Sequence, residues 1–174
     1  DITAGITHRF NEKNSIHVNG YYSIDDFSFS ADTTYNYQNA NASFKWKSNF
    51  SDKSSMELTA GYDHYNYSTV DKFNPVRTYE LSFKIQQAYG KLKFRSLLSQ
   101  KHSLTYGADA TYYNLSPGSY LPYGDESLVV SNILPKETAV EGAAYLSDNW
   151  SISERVSLDF GVRLSMFKSN KFYI

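Results

Sequence analysis

The sequence contains no cysteine, only four prolines and nine glycines in 174 residues, and no excess of one charge. The missing cysteine excludes a disulfide framework and thiolate metal ligands, and is compatible with an oxidising compartment. Seventeen basic and 18 acidic residues leave a net charge of −1. No field therefore steers the chain toward nucleic acid, which is not an expected partner. No run approaches the roughly 20 apolar residues of a membrane helix, and no charged-then-apolar leader opens the chain. Asp1-Ile2-Thr3 already reads as strand, so the start is expected to be a cut or a mature end.

What is abundant is aromatic. Sixteen Tyr, 11 Phe and two Trp make 17% of the residues, although the mean hydropathy is −0.52. Rings combined with Ser, Thr and Asn favour strands over helices. Strict alternation supports this: Val156, Leu158, Phe160, Val162, Leu164 and Met166 take every second place, with Ser157, Asp159, Gly161, Arg163 and Ser165 between them. A period of two gives a strand with one apolar and one polar face.

Read this way, the chain is all-β, an antiparallel up-and-down meander of about eight strands. Short turns fall near 11–14, 51–54, 99–102 and 152–155, and longer loops near 30–39, 71–77 and 116–136. The second strand extends toward Phe29. In the fifth strand Leu81, Phe83 and Ile85 are odd-numbered, whereas Leu92, Phe94 and Leu98 are even, and a bulge near Tyr89-Gly90 is expected to absorb the slip. Short turns alternating with longer loops suit a transmembrane β-barrel, either part of one or a small complete one, better than a soluble sandwich.

Aromatics beside the turns agree with that reading. Phe10, Phe50 and Trp150 flank short turns, while Tyr21, Tyr22, Tyr62, Tyr65, Tyr67, Tyr79, Tyr112 and Tyr113 cluster toward the other end. Two belts separated by an apolar band are what a bilayer selects, so outer-membrane lipid is an expected partner. The opposite face is expected to line a lumen with His17, Asn19, Lys45, Lys47, Glu57, Lys84, Lys93, Arg95, Asp109, Glu141, Asp159 and Arg163.

No catalytic constellation and no cofactor motif emerge, and an enzyme is not expected. His8, His17, His64 and His102 lack metal-ligand spacing. Asp25-Asp26 and Asp125-Glu126 are adjacent pairs, and strand neighbours face opposite ways. Ligand contact, if any, is expected in the longest outer loop. There Tyr120, Tyr123, Asp125 and Glu126 combine ring faces with acceptors suited to a sugar or catecholate ring.

Two stretches carry a family resemblance. His102-Ser103-Leu104-Thr105-Tyr106-Gly107-Ala108-Asp109 resembles a strand opening of TonB-dependent receptor barrels. Ala144-Tyr145-Leu146-Ser147-Asp148-Asn149-Trp150, with Val156-Ser157-Leu158-Asp159-Phe160-Gly161-Val162-Arg163-Leu164, is similar to a hairpin of that family. The resemblance covers about a third of the chain. It implies a Gram-negative outer-membrane location, uptake of a scarce nutrient (iron chelate, cobalamin or oligosaccharide) and a TonB energy-transducing partner reached through segments not seen here. The family's plug and many of its strands are missing, and the closing Phe172-Tyr173-Ile174 lacks a terminal Phe or Trp, so the chain is expected to be a barrel excerpt. The alternatives are a complete eight-stranded barrel with an adhesive or structural role and a soluble carbohydrate-binding sandwich.

Overall fold

The computed structural model describes residues 1–28 and 30–171. Phe29 and the closing residues 172–174 lie outside the described residues. Eight long strands form one antiparallel sheet: β1 (Ile2–Arg9), β2 (Asn14–Ser28), β3 (Thr33–Ser51), β4 (Ser54–Asp71), β5 (Tyr79–Leu97), β6 (His102–Pro122), β8 (Glu137–Ser153) and β9 (Val156–Ser169). A two-residue strand, β7 (Asn132–Ile133), pairs with β6. Each long strand pairs with the next in sequence, and β1 and β9 each have a single neighbour, so the sheet is open.

There is one layer and almost no interior. Among the described residues the only buried hydrophobic side chain is Ala143. A sandwich would enclose one apolar face of each sheet between two layers, and a closed eight-stranded barrel would pair its first and last strands, so neither alternative describes this sheet.

Register makes the two faces explicit. One cross-strand row runs Ile16, Trp46, Leu58, Leu92, Ala108, Ala144, Leu164; the row beside it runs Ser15, Lys47, Glu57, Lys93, Gly107, Tyr145, Arg163. Even-numbered residues make the apolar face through this part of the sheet, and odd-numbered residues the polar one.

The odd face is the concave one. A methyl group at Gly61 would stand 2.5 Å from the Tyr89 ring, at Gly161 2.7 Å from Ser147 Cβ and at Gly107 2.8 Å from the Tyr145 hydroxyl. On the even face, Gly90 has nothing within 4 Å and Gly142 meets only a backbone oxygen at 3.7 Å. Side chains that converge on one face and diverge on the other mark the inside of a curved wall.

The strands are also inclined. The short turns centre at Glu12, Asp52-Lys53, Gln100 and Glu154-Arg155, and relative to the hydrogen-bonded rows they step by about two residues per hairpin. About 7 Å along the strand for about 9.6 Å across gives a tilt of roughly 36°, within the range barrel closure requires.

Several boundaries differ from those read in the sequence. Thr33–Asn39, expected as loop, is strand paired to β2 and β4, so that connection is as brief as the turns at the other end. Ser116–Pro122 is strand as well. No slip occurs at Tyr89-Gly90, where the β4–β5 register runs unbroken. The irregularity lies between β5 and β6, where Pro117 and Gly118 oppose Phe83 alone. A bulge is where a sheet tolerates proline, because the missing N–H costs no ladder bond.

Candidate functional site

The even face carries two girdles. On the turn side Phe10 and Phe50 are more than half exposed, with Phe10 set edge-on to His8 at 4.6 Å. Trp150 stacks on His102 at 5.7 Å. At the far side stand Tyr22, Tyr62 and Tyr112. The Gln38 and Gln86 amides donate to the Tyr22 and Tyr62 hydroxyls at 2.9 and 2.7 Å, so these phenols point to a polar rim. Along the register the girdles are separated by eight residues at Phe10 and Phe50 and by ten at Trp150. With the tilt above, that is roughly 21–27 Å along the normal, the height of a barrel's lipid-facing band. The other tyrosines expected in this belt, Tyr21, Tyr65, Tyr67, Tyr79 and Tyr113, are odd-numbered and belong to the concave face.

Above the Tyr22–Tyr62 level the faces exchange character. The convex face becomes polar with Asp26, Asn36, Asn66, Ser68 and Lys84, while the concave face becomes aromatic. Lys84 thus faces outward and not into the lumen. Phe27 stacks on Tyr35 at 4.9 Å and lies parallel to Tyr37 at 5.8 Å. Tyr37 meets Tyr67 at 5.1 Å, Tyr67 meets Phe83 at 4.8 Å, and Tyr65 meets Phe83 at 5.8 Å. These contacts form a ring ladder across β2 to β5, and Tyr79–Tyr120 at 4.9 Å adds a rung at the β5–β6 end. Burial among the rings, then the neighbouring Tyr37, raises the Tyr67 phenol above its ordinary value; burial, then Asp71, does the same for Tyr79. Both stay neutral donors.

Directly below the ladder, Asp63 accepts from Asn41 Nδ2 and from Gln87 Nε2, the latter at 2.5 Å. A cavity of about 300 Å³ there is lined by Tyr21, Asn39, Asn41, Asp63, Tyr65 and Gln87 among others. In the same row as Asp63 and Gln87, Tyr113 donates to Glu141 at 3.2 Å; lower, Arg163 forks onto Asp109 at 2.9 and 3.0 Å, and Lys45 and Lys47 lie 3.8 and 3.5 Å from Glu57. Asp109, Glu141, Asp159 and Arg163 all stand on the concave face. Among the described residues no cluster of metal-ligating side chains occurs.

Of the four outer-loop residues singled out in the sequence, only Tyr120 joins the ladder. Tyr123 is joined by its backbone to Thr78, donating to the Thr78 carbonyl at 3.2 Å and accepting from its hydroxyl, and lies under Lys72 Nζ at 4.9 Å. Asp125 and Glu126 are exposed at the loop tip beside Gly124, whose φ of 82° makes the turn. The ladder escaped notice because Tyr35, Tyr37, Tyr65 and Tyr67 read as loop or belt. Their odd parity, opposite to Tyr22 and Tyr62, was the available signal.

The family model described as TonB dependent receptor-like, beta-barrel matches residues 2–172. No curated protein matches. Among solved structures, BauA, the ferric preacinetobactin receptor from Acinetobacter baumannii, is similar with a TM-score of 0.71 at 14% identity, over 97% of this chain and 33% of that one. The translocator domain of the autotransporter NalP from Neisseria meningitidis gives 0.51 at 12% identity, over 98% and 60%. The chain therefore spans about a third of the length of BauA.

Proposed function

The chain belongs to the TonB-dependent receptor β-barrel family of the Gram-negative outer membrane, and on that premise we propose that it is the wall portion of a receptor that imports a scarce solute, captured at the ring-lined mouth. The even-numbered band faces lipid, and the odd-numbered face lines the passage. An iron chelate, cobalamin or an oligosaccharide would each be a cargo of suitable size. Energy would come from the TonB complex through parts of the receptor beyond this chain.

The observation that carries the proposal is the exchange of face character above the tyrosine girdle. A wall that only anchored itself in lipid would have no need of rings on its concave side outside the bilayer. The ladder gives that side an apolar surface open to the mouth, as small-molecule sites require. Tyr120 belongs to this surface, whereas Tyr123, Asp125 and Glu126 form an outer rim. Asp109, Glu141, Asp159 and Arg163 line the passage below, and Phe10, Phe50 and Trp150 hold the inner-leaflet boundary.

The test is uptake by cells carrying the intact receptor, with and without a functional TonB complex. Import of the cognate solute is expected only with TonB, and weakened by Tyr67→Ala. Import that is unchanged without TonB would refute the receptor reading.

A further inference from the structure

Accepting the receptor reading above, we infer that the mouth and the cavity beneath it select an uncharged carbohydrate and not an anionic metal chelate. Three observations converge on the same place in the wall.

The first is charge. In β2 to β6, the ring-bearing face above the Asn41–Asp63–Gln87 row holds no basic side chain, and it presents Asp25 and Asp71. Lys84 is turned to the convex face, and in the adjoining loop Lys72 lies over the Tyr123 ring. An iron complex whose ligands are catecholates or carboxylates carries net negative charge, and its capture calls for Arg or Lys in a water-poor mouth. On β3 to β5 the basic residues of this face, Lys45, Lys47, Lys91, Lys93 and Arg95, stand well below, toward the short turns, and the basic side chain at mouth height beyond β9, Lys171, is paired with Glu137.

The second is the set of polar groups in the roughly 300 Å³ cavity: the amides of Asn39, Asn41 and Gln87 and the carboxylate of Asp63. Amides both donate and accept, and a carboxylate accepts twice, which matches vicinal hydroxyls that themselves do both. Asp63 is held by Asn41 and Gln87, so the acceptor is positioned before a ligand arrives.

The third is the juxtaposition of that set with ring faces. Tyr21 and Tyr65 line the same cavity, and Tyr65 is also part of the ladder through Phe83. The axial C–H face of a pyranose is apolar and its rim is polar, so a site for it needs a ring beside hydrogen-bonding groups. The ladder then offers further rings along which successive sugar units can lie.

The experiment uses the intact receptor, purified in detergent, against a printed panel of neutral oligosaccharides and against a ferric tris-catecholate anion. Binding to at least one neutral oligosaccharide is expected. It should weaken roughly tenfold or more in Tyr65→Ala, the factor that about 1.4 kcal/mol represents. Tyr65→Phe should retain it, and Asp63→Asn should lose affinity while the protein remains folded in the outer membrane.

Failure to bind any neutral oligosaccharide overturns the inference. So does oligosaccharide binding indifferent to both Tyr65→Ala and Asp63→Asn, and so does tight binding of the ferric anion that depends on Tyr65. Each of these outcomes leaves TonB-dependent uptake intact; loss of that dependence would instead strike the receptor reading itself.

Discussion

Leu92 offers the sharpest test of which face meets lipid. It lies between Lys91 and Lys93 on β5, six residues from Gln86 at the upper girdle and six from Leu98 at the third turn, near mid-height of the band. Its row neighbours are Leu58 and Ala108. Leu92→Lys would put a third ammonium into this stretch, but on the apolar side. A lipid-facing Lys near the midplane costs about 2–4 kcal/mol, a shift of roughly 30- to 700-fold in the folding equilibrium. Lys93→Leu removes a charge from the concave face and should change stability by no more than about 0.5 kcal/mol, as for an ordinary wetted position. The assay is urea unfolding of the intact receptor in phospholipid vesicles, followed by tryptophan fluorescence. A neutral Leu92→Lys paired with a costly Lys93→Leu would reverse the assignment of the faces and refute the reasoning.

Gly107 and Gly90 make a second comparison. A methyl group at Gly107 would run into the Leu92 carbonyl oxygen and the Tyr145 hydroxyl, so Gly107→Ala should destabilise the receptor by about 1–3 kcal/mol. Gly90→Ala meets open space and should be neutral or stabilising by up to about 1 kcal/mol; equal effects in the same unfolding assay would contradict the packing described. The raised phenols of Tyr67 and Tyr79 give a pH prediction. Because the folded wall favours the neutral form, this contribution is complete below the ordinary phenol value of 10.0 and is lost as pH climbs through the raised one. A phenolate absorbance titration of the wild type minus Tyr67→Phe should therefore show an ionisation above 10.0; one at or below it would remove the buried ring contact.

Much of the wall is legible in residue order because a strand half in lipid must alternate. Val156 to Met166 on one side and Asp159 and Arg163 on the other needed no coordinates. What misled the reading was the change of environment above the girdle. There alternation persists but the apolar side changes, as Leu81-Phe83-Ile85 against Leu92-Phe94 shows. A bulge and an exchange of faces shift the apolar phase identically, so the phase alone does not separate a slip at Tyr89-Gly90 from the exchange that occurs. Thr33–Asn39 reads as loop since Asn36 and Asn39 are poor strand formers, yet Tyr35 and Tyr37 gain ring partners only as strand. Pro117 looks like a breaker until Phe83 is seen to face two residues. The cavity around Asp63 needs four strands in register, which no local pattern reports.

The strands continue upward for six to nine residues beyond Tyr22, Tyr62 and Gln86, about 20–30 Å of chain at the usual rise. The vestibule is consequently framed by hydrogen-bonded sheet and owes little to its connections. On the uptake proposed above, a cargo entering it would meet groups already in place and spend little conformational freedom on their ordering. Altering selectivity then becomes a matter of exchanging single side chains on a stiff palisade; lengthening the links at its crest would leave recognition largely untouched.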